Sequence, residues 1–184
     1  MIGKQLSKQM GIPFYDHELI EIAANSSEIS QNFFEHAEEN GSGGLWSELG
    51  MEVQHDLSLN DKAFLHQSSV IRDIAHRESC IIVGRCADYV LRDHPNILKV
   101  FIYADLDSRK ERIANIYKEA DEKALSKIEK TDKKRASYYK HYTGQEFGEA
   151  KNYDICLNSS LIGIDKCVEV IQSVCAQREA SLNQ

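Results

Sequence analysis

Apolar and polar positions alternate along the chain in two distinct ways. Cys80-Ile81-Ile82-Val83 is a continuous apolar run ending in Gly84-Arg85, and Ile97 to Tyr103 is a second, ending in Ala104-Asp105. Runs of this kind predict parallel strands buried on both faces. Ile12 to Tyr15 and Tyr153 to Leu157 read as shorter strands. Helical spacing fills the intervals. Lys4 to Met10 reads as the tail of a helix, stopped by Gly11 and Pro13. Asp16 is placed to cap a helix with Leu19, Ile20 and Ala23 on one face. Ser30 is placed to cap another through Phe33, Phe34 and Ala37, and Asn40 to Gly44 reads as a loop.

Asn60 opens a longer helical pattern. Its apolar set is Ala63, Phe64, Val70, Ile71, Ile74 and Ala75, provided that Gln67 fills one turn of the same face. Asp107 to Lys118 and the charged stretch from Asp121 to about Tyr139 follow as helices. Asp165 is placed to cap a closing helix with Val168, Ile171 and Cys175 on one side. Strands alternating with helices predict an α/β fold with a parallel sheet flanked by helices in three layers. At 184 residues the chain suits a single domain, 1–184.

Composition narrows the function. The net charge of −7 argues against a general nucleic-acid surface. No apolar run approaches the ~20 residues that span a bilayer, and the N-terminus has no signal-peptide core. No membrane partner is therefore expected. The five cysteines include no C-x₂-C pair, so no metal site is expected, and they read as reduced packing residues of a cytoplasmic protein.

Ligands of parallel α/β sheets sit beyond the carboxyl ends of the strands, which singles out Asp16, Arg85, Asp88 and Asp105. Gly84 lets the backbone turn sharply after its strand, leaving the planar fork of Arg85 at the mouth of the sheet, suited to phosphate. The competing reading is a surface arginine paired with Asp88 or Asp93. Lys127 to Lys140 gathers Lys127, Lys130, Lys133, Lys134, Arg135 and Lys140 in an otherwise acidic chain. Either this is a mobile basic helix closing over phosphates, or it is a solvated helix face. Asp132 and Arg135 lie three apart and can pair. Gly41-Ser42-Gly43-Gly44 lacks a P-loop lysine and a preceding buried strand, so it does not read as a phosphate cradle. No H-E-x-x-H array or G-x-S-x-G elbow supports a hydrolase.

Several of these segments together resemble a known family. They are Gly11-Ile12-Pro13-Phe14-Tyr15-Asp16, Ile81 through Asp88, Arg135 through Gly144, Asn152-Tyr153-Asp154 and Asn158-Ser159-Ser160. In order and spacing they resemble the cytidylate kinase-like family of P-loop nucleoside monophosphate kinases over nearly the whole chain. The resemblance implies phosphoryl transfer from ATP, with Mg²⁺, to CMP or dCMP. It implies a monophosphate-binding region over about 16–75 and a lid over about 120–144. By the same resemblance Asp16, Arg85 and Asp88 bind the acceptor, and Arg135 with Arg109 or Arg112 reaches the transferring phosphates. Asn158 and Ser159 border the adenine.

The family's first strand and glycine-rich phosphate loop belong ahead of Ile2-Gly3-Lys4, where Met1 stands. The expectation is that the natural protein begins earlier and that the chain as it stands does not turn over ATP. The alternative expectation is a non-catalytic nucleotide-binding or interaction module derived from such a kinase.

Overall fold

A computed structural model describes residues 1–26, 58–117 and 121–182. The helix expected from Ser30 and the loop at Asn40 to Gly44 lie outside the described residues. The chain divides into two compact units: Gly11–His94, and Met1–Met10 with Pro95–Gln184.

In the first unit, strand β1 (Phe14–Tyr15) pairs in parallel with β2 (Ile81–Ile82), Phe14 opposite Ile81 and Tyr15 opposite Ile82. Helix α2 (His17–Ser26) starts where expected, since Asp16 Oδ1 accepts from the Leu19 amide at 3.2 Å. Helix α3 (Leu59–Arg77) is capped by Ser58 rather than opened at Asn60. The Ser58 hydroxyl accepts from the Asp61 amide at 3.2 Å, and a cap needs this short oxygen one turn ahead of an orphan N–H. The short helix α4 (Ala87–Val90) follows β2. Helix α3 packs against both α2 and α4. Ile20, Ala24, Phe64, Leu65, Val70, Ile71, Ile74, Cys86, Ala87, Val90 and Leu91 are the buried apolar residues among those described. Each large one contributes about 1.5–3 kcal/mol by leaving water.

The second unit contains α1 (Ile2–Met10), β3 (Val100–Tyr103), α5 (Leu106–Tyr117), α6 (Asp121–Thr143), a 3₁₀ turn (Ala150–Asn152), β4 (Ile155–Asn158), α7 (Ser159–Ile162) and α8 (Ile164–Leu182). Gly11, at φ +67°, ends α1 in the left-handed region where glycine carries no Cβ penalty. Strands β3 and β4 run parallel with Val100 opposite Ile155. Lys99 extends the pairing: its amide donates to Asp154 Oδ2 at 2.7 Å and its carbonyl accepts from the Asp154 amide at 2.8 Å. Helix α8 buries Cys167, Val168 and Ile171, packs against α1, and donates from Arg178 Nη1 to the Ile97 carbonyl at 2.6 Å. Asp165 is not its cap. It lies inside the first turn, where its carboxylate accepts from Gln5 Nε2 at 2.7 Å.

The parallel α/β class expected from the sequence is therefore observed, as short parallel strand pairs flanked by helices. The expected burial of the two apolar runs is corrected. Ile81 and Ile82 are half-buried and Val83 is 48% exposed; Val100, Phe101 and Ile102 are half-buried and Tyr103 is 46% exposed. Among the described residues each of these strands has a single strand neighbour, so neither occupies the two-sided interior position that continuous apolar runs usually mark.

Candidate functional site

The turn after β2 is the most strained backbone described. Gly84 stands at φ +86°, and Arg85 and Cys86 follow, both at φ +55°. Two adjacent side-chain-bearing residues in the left-handed region cost about 1–2 kcal/mol each. Such strain persists where surrounding structure enforces it, and it clusters at ligand sites. Cys86 is held by its burial, and its carbonyl accepts from the amides of Tyr89 at 2.9 Å and Val90 at 2.8 Å, starting α4. Burial, with the nearby Asp88 charge, pushes the Cys86 thiol up to about 12, so it stays a neutral packing group.

This turn presents Arg85 at the carboxyl end of β2, as expected. Its guanidinium meets Glu21 of α2, a carboxylate outside the two the sequence offered. Asp93 instead approaches Arg92 at 3.5 Å. Arg85 keeps only 22% of its side chain exposed and Glu21 44%, so the pair is neither sealed nor fully solvated. Sequence reasoning missed Glu21. Its only signal is position: it lies five residues after Asp16, on the first turns of the helix that Asp16 caps. Asp88 is half-buried beside Cys86 on α4, in the same unit.

The second unit gathers a different cluster. Arg109 of α5 grips Asp132 of α6 with both terminal nitrogens, Nη1 to Oδ2 at 2.6 Å and Nη2 to Oδ1 at 2.7 Å. This is the two-pronged geometry that only a planar guanidinium gives. Arg135 stands 3.9 Å from the same carboxylate and is mostly exposed. The expected Asp132–Arg135 pair is thus a loose contact, and the tight partner of Asp132 is Arg109. Arg112 is half-buried on α5, its charge acting on Cys167.

Helix α6 carries apolar anchors near both of its ends. Ala124 and Ile128 are buried toward one end and Tyr139 and Tyr142 toward the other. None of residues 129–138 is buried, and this middle stretch carries Asp132, Arg135 and three lysines. Helix α6 buries side chains near its ends and none from 129 to 138. Arg109 supplies a tie to that middle from α5.

Asn158 and Ser159 close the carboxyl end of β4. Asn158 Oδ1 accepts from the Ser160 amide at 2.9 Å, and its Nδ2 donates to Asp105 Oδ1 at 3.3 Å. Ser159 Oγ donates to the Tyr103 carbonyl at 3.0 Å, and the Asp105 amide donates to Ser160 Oγ at 2.8 Å. These bonds lock the ends of β3 and β4 together. Ser159 is buried and occupied in that lock.

The comparisons with known proteins decide the family. The family model for the cytidylate kinase-like family matches residues 1–161. The chain belongs to the cytidylate kinase-like family. It is 28% identical over 151 residues to a cytidylate kinase of Methanosarcina acetivorans, covering 79% of this chain and 75% of that one. It is likewise 28% identical over 150 residues to a cytidylate kinase of Methanosarcina mazei, covering 79% and 74%. The crystal structure of an uncharacterized protein from Eubacterium ventriosum superposes with a TM-score of 0.76 at 25% identity, over 96% of this chain and 90% of that one. That likeness fits a kinase-like fold and agrees with the parallel strand pairs described above. No helix among the described residues is long and apolar enough to cross a membrane.

Proposed function

We propose that this member of the cytidylate kinase-like family is a nucleoside monophosphate kinase that moves a phosphoryl group from ATP to CMP or dCMP. Family membership supports the kinase class. The observation that carries the acceptor end is the presentation of Arg85 by two successive left-handed residues, at the strand end where α/β sheets take ligands. A strained turn fixes where the arginine stands, and its planar fork matches a phosphate's paired oxygens.

In this reading the acceptor phosphate displaces Glu21 from Arg85, exchanging one anion for another on the same fork. Asp16, at the start of the monophosphate-binding region of about 16–75, and Asp88 beyond it complete the acceptor site. Arg135, with Arg109 and Arg112, offsets charge on the transferring phosphates as 120–144 closes as a lid. Asn158 and Ser159 border the adenine through the backbone they shape. The acceptor oxygen is already anionic, so no side chain has to remove a proton. It bonds to the γ-phosphorus as the bond to the bridging oxygen breaks, and ADP leaves with that electron pair. Positioning and charge neutralisation supply the rate. Among the described residues no three His, Cys, Asp or Glu side chains cluster as a metal cage. Mg²⁺ would therefore enter as a companion of ATP, held mainly by phosphate oxygens and water. When bound, it neutralises charge on the transferring group. In this reading the protein works in the cytoplasm, which supplies both ATP and CMP.

Coupled assays with CMP, dCMP and UMP, beside calorimetric titration of CMP, test this reading. The expected result is CMP binding that weakens in Arg85→Ala and less so in Arg85→Lys. Equal affinity in all three proteins would return Arg85 to a surface ion pair with Glu21. Turnover separates a kinase from a module that only binds nucleotide.

A further inference from the structure

Gln67 supplies one of the buried side-chain polar atoms of the first unit that lack a hydrogen-bond partner among the described residues. Gln67 lies near the middle of α3 and is only 8% exposed. Its carboxamide oxygen is sealed from solvent and meets no donor among the described residues. At 100° per residue Gln67 falls on the same stripe as Phe64, Val70, Ile71 and Ile74, all buried. A glutamine in that position carries the desolvation penalty of an unpaired acceptor, which a leucine or methionine would avoid. Ser68, its buried neighbour, shows the contrast: its hydroxyl donates to the Phe64 carbonyl at 2.8 Å.

The same helix is bound to both elements that frame Arg85. It packs against α2, which carries Glu21, and against α4, which begins two residues after Arg85. We infer that the Gln67 carboxamide oxygen is a base-reading acceptor, taking a hydrogen bond from an N–H of the nucleobase whose phosphate Arg85 holds. The ligand class is a nucleoside monophosphate with an N–H on its base edge, as cytosine has in its exocyclic amino group. A buried acceptor held ready for a partner rejects ligands that leave it unpaired. This inference rests on the proposed acceptor role of Arg85, and it adds the residue that distinguishes a nucleotide from a bare sugar phosphate.

The test compares CMP with ribose 5-phosphate by calorimetric titration, in the full chain and in Arg85→Ala, Gln67→Leu and Gln67→Met, with thermal unfolding of each. Gln67→Leu and Gln67→Met are expected to lose about tenfold in CMP affinity and nothing in ribose 5-phosphate affinity. Their melting temperatures should equal or exceed that of the parent, because an unpaired buried oxygen is removed. Arg85→Ala should weaken both ligands together. Unchanged CMP affinity in the two Gln67 variants overturns the inference and leaves the role of Arg85 standing. So does a wild type that binds CMP no tighter than ribose 5-phosphate. A fall in melting temperature or failure to fold in both variants also overturns it, giving Gln67 a structural role. A wild type that binds neither ligand, or an Arg85→Ala variant that weakens neither, overturns the proposed function and this inference with it.

Discussion

The two units each hold an arginine against a carboxylate, and they do so by opposite means. Arg85 is placed by its backbone: Gly84, Arg85 and Cys86 turn through three consecutive positive φ values, and Glu21 merely meets the side chain that results. Arg109 is placed by its side chain: it rises from a regular helix, and the two short bonds to Asp132 fix its plane. Backbone placement survives the loss of the partner carboxylate, whereas side-chain placement does not. An arginine whose position outlives its partner is suited to exchanging that partner for a ligand. One that needs its partner is suited to tying two helices, and to releasing them when an anion competes. The variants that follow break one element of this contrast at a time.

The largest effect is expected at Arg85 itself. Arg85→Ala removes a charge-assisted bond to phosphate, about 1.5–3 kcal/mol, which is about ten- to a hundredfold in CMP affinity. Arg109→Ala should change CMP affinity far less, since Arg109 is spent on Asp132 while Arg85 is aimed by its own turn. Calorimetric titration of CMP into the two variants checks this. If both lower CMP affinity alike, the division between the clusters is wrong.

Next comes the turn. Gly84→Ala meets no steric obstacle, for a Cβ there has nothing within 4 Å, yet φ of +86° strains any side chain. The expected loss is about 1–2 kcal/mol of stability, read by thermal or urea unfolding. CMP affinity should fall with it, because the turn aims Arg85. A destabilised variant that binds CMP as before would mean that the strain serves folding alone.

Much of this was legible in the sequence, and the rest was lost for identifiable reasons. The parallel class follows from apolar runs alternating with helical spacing, and Asp16 caps α2 as its side chain predicts. Arg85 was found because Gly84 ends a buried-looking run. The left-handed φ of Arg85 and Cys86 was hidden, since neither residue type announces it. Val83 and Tyr103 misled because an apolar run reports what a strand prefers, and burial depends on how many neighbours it has. Glu21 and the Arg109–Asp132 grip escaped because pairings 64 and 23 residues apart leave no local period to read. Gln67 was visible as a polar interruption of an apolar stripe, but its unpaired oxygen is a property of the packed helix.

Asp132→Asn should be felt as loosening. Neutralising the carboxylate breaks the grip on Arg109, and a partly exposed pair of this kind is worth about 1 kcal/mol or less. The effect should concentrate where α6 buries no side chain. Amide exchange should quicken over 129–138 and stay slow around the buried Ala124, Ile128, Tyr139 and Tyr142. Uniform acceleration along the helix would show that Asp132 supports the whole of α6, and the picture of pinned ends and a tied middle would fail.

The smallest effect should run in the opposite direction. Glu21→Gln keeps the size and shape of the side chain and removes the charge that competes with phosphate for Arg85. The pair is partly open to water, so breaking it costs well under about 1 kcal/mol. The turn at Gly84 to Cys86 still holds Arg85 in place, so little is lost on the free-protein side. A ligand phosphate no longer has to displace an anion, and the like-charge repulsion between it and Glu21 disappears. CMP affinity should therefore rise by about two- to fivefold, a gain of about 0.4–1 kcal/mol. The gain should shrink as salt increases, because screening weakens the competitor in the wild type. Titrations of wild type and Glu21→Gln at low and high salt measure both. A fall in affinity at low salt would mean that Glu21 orients Arg85 for phosphate, and the two arginines would then be placed by the same means after all.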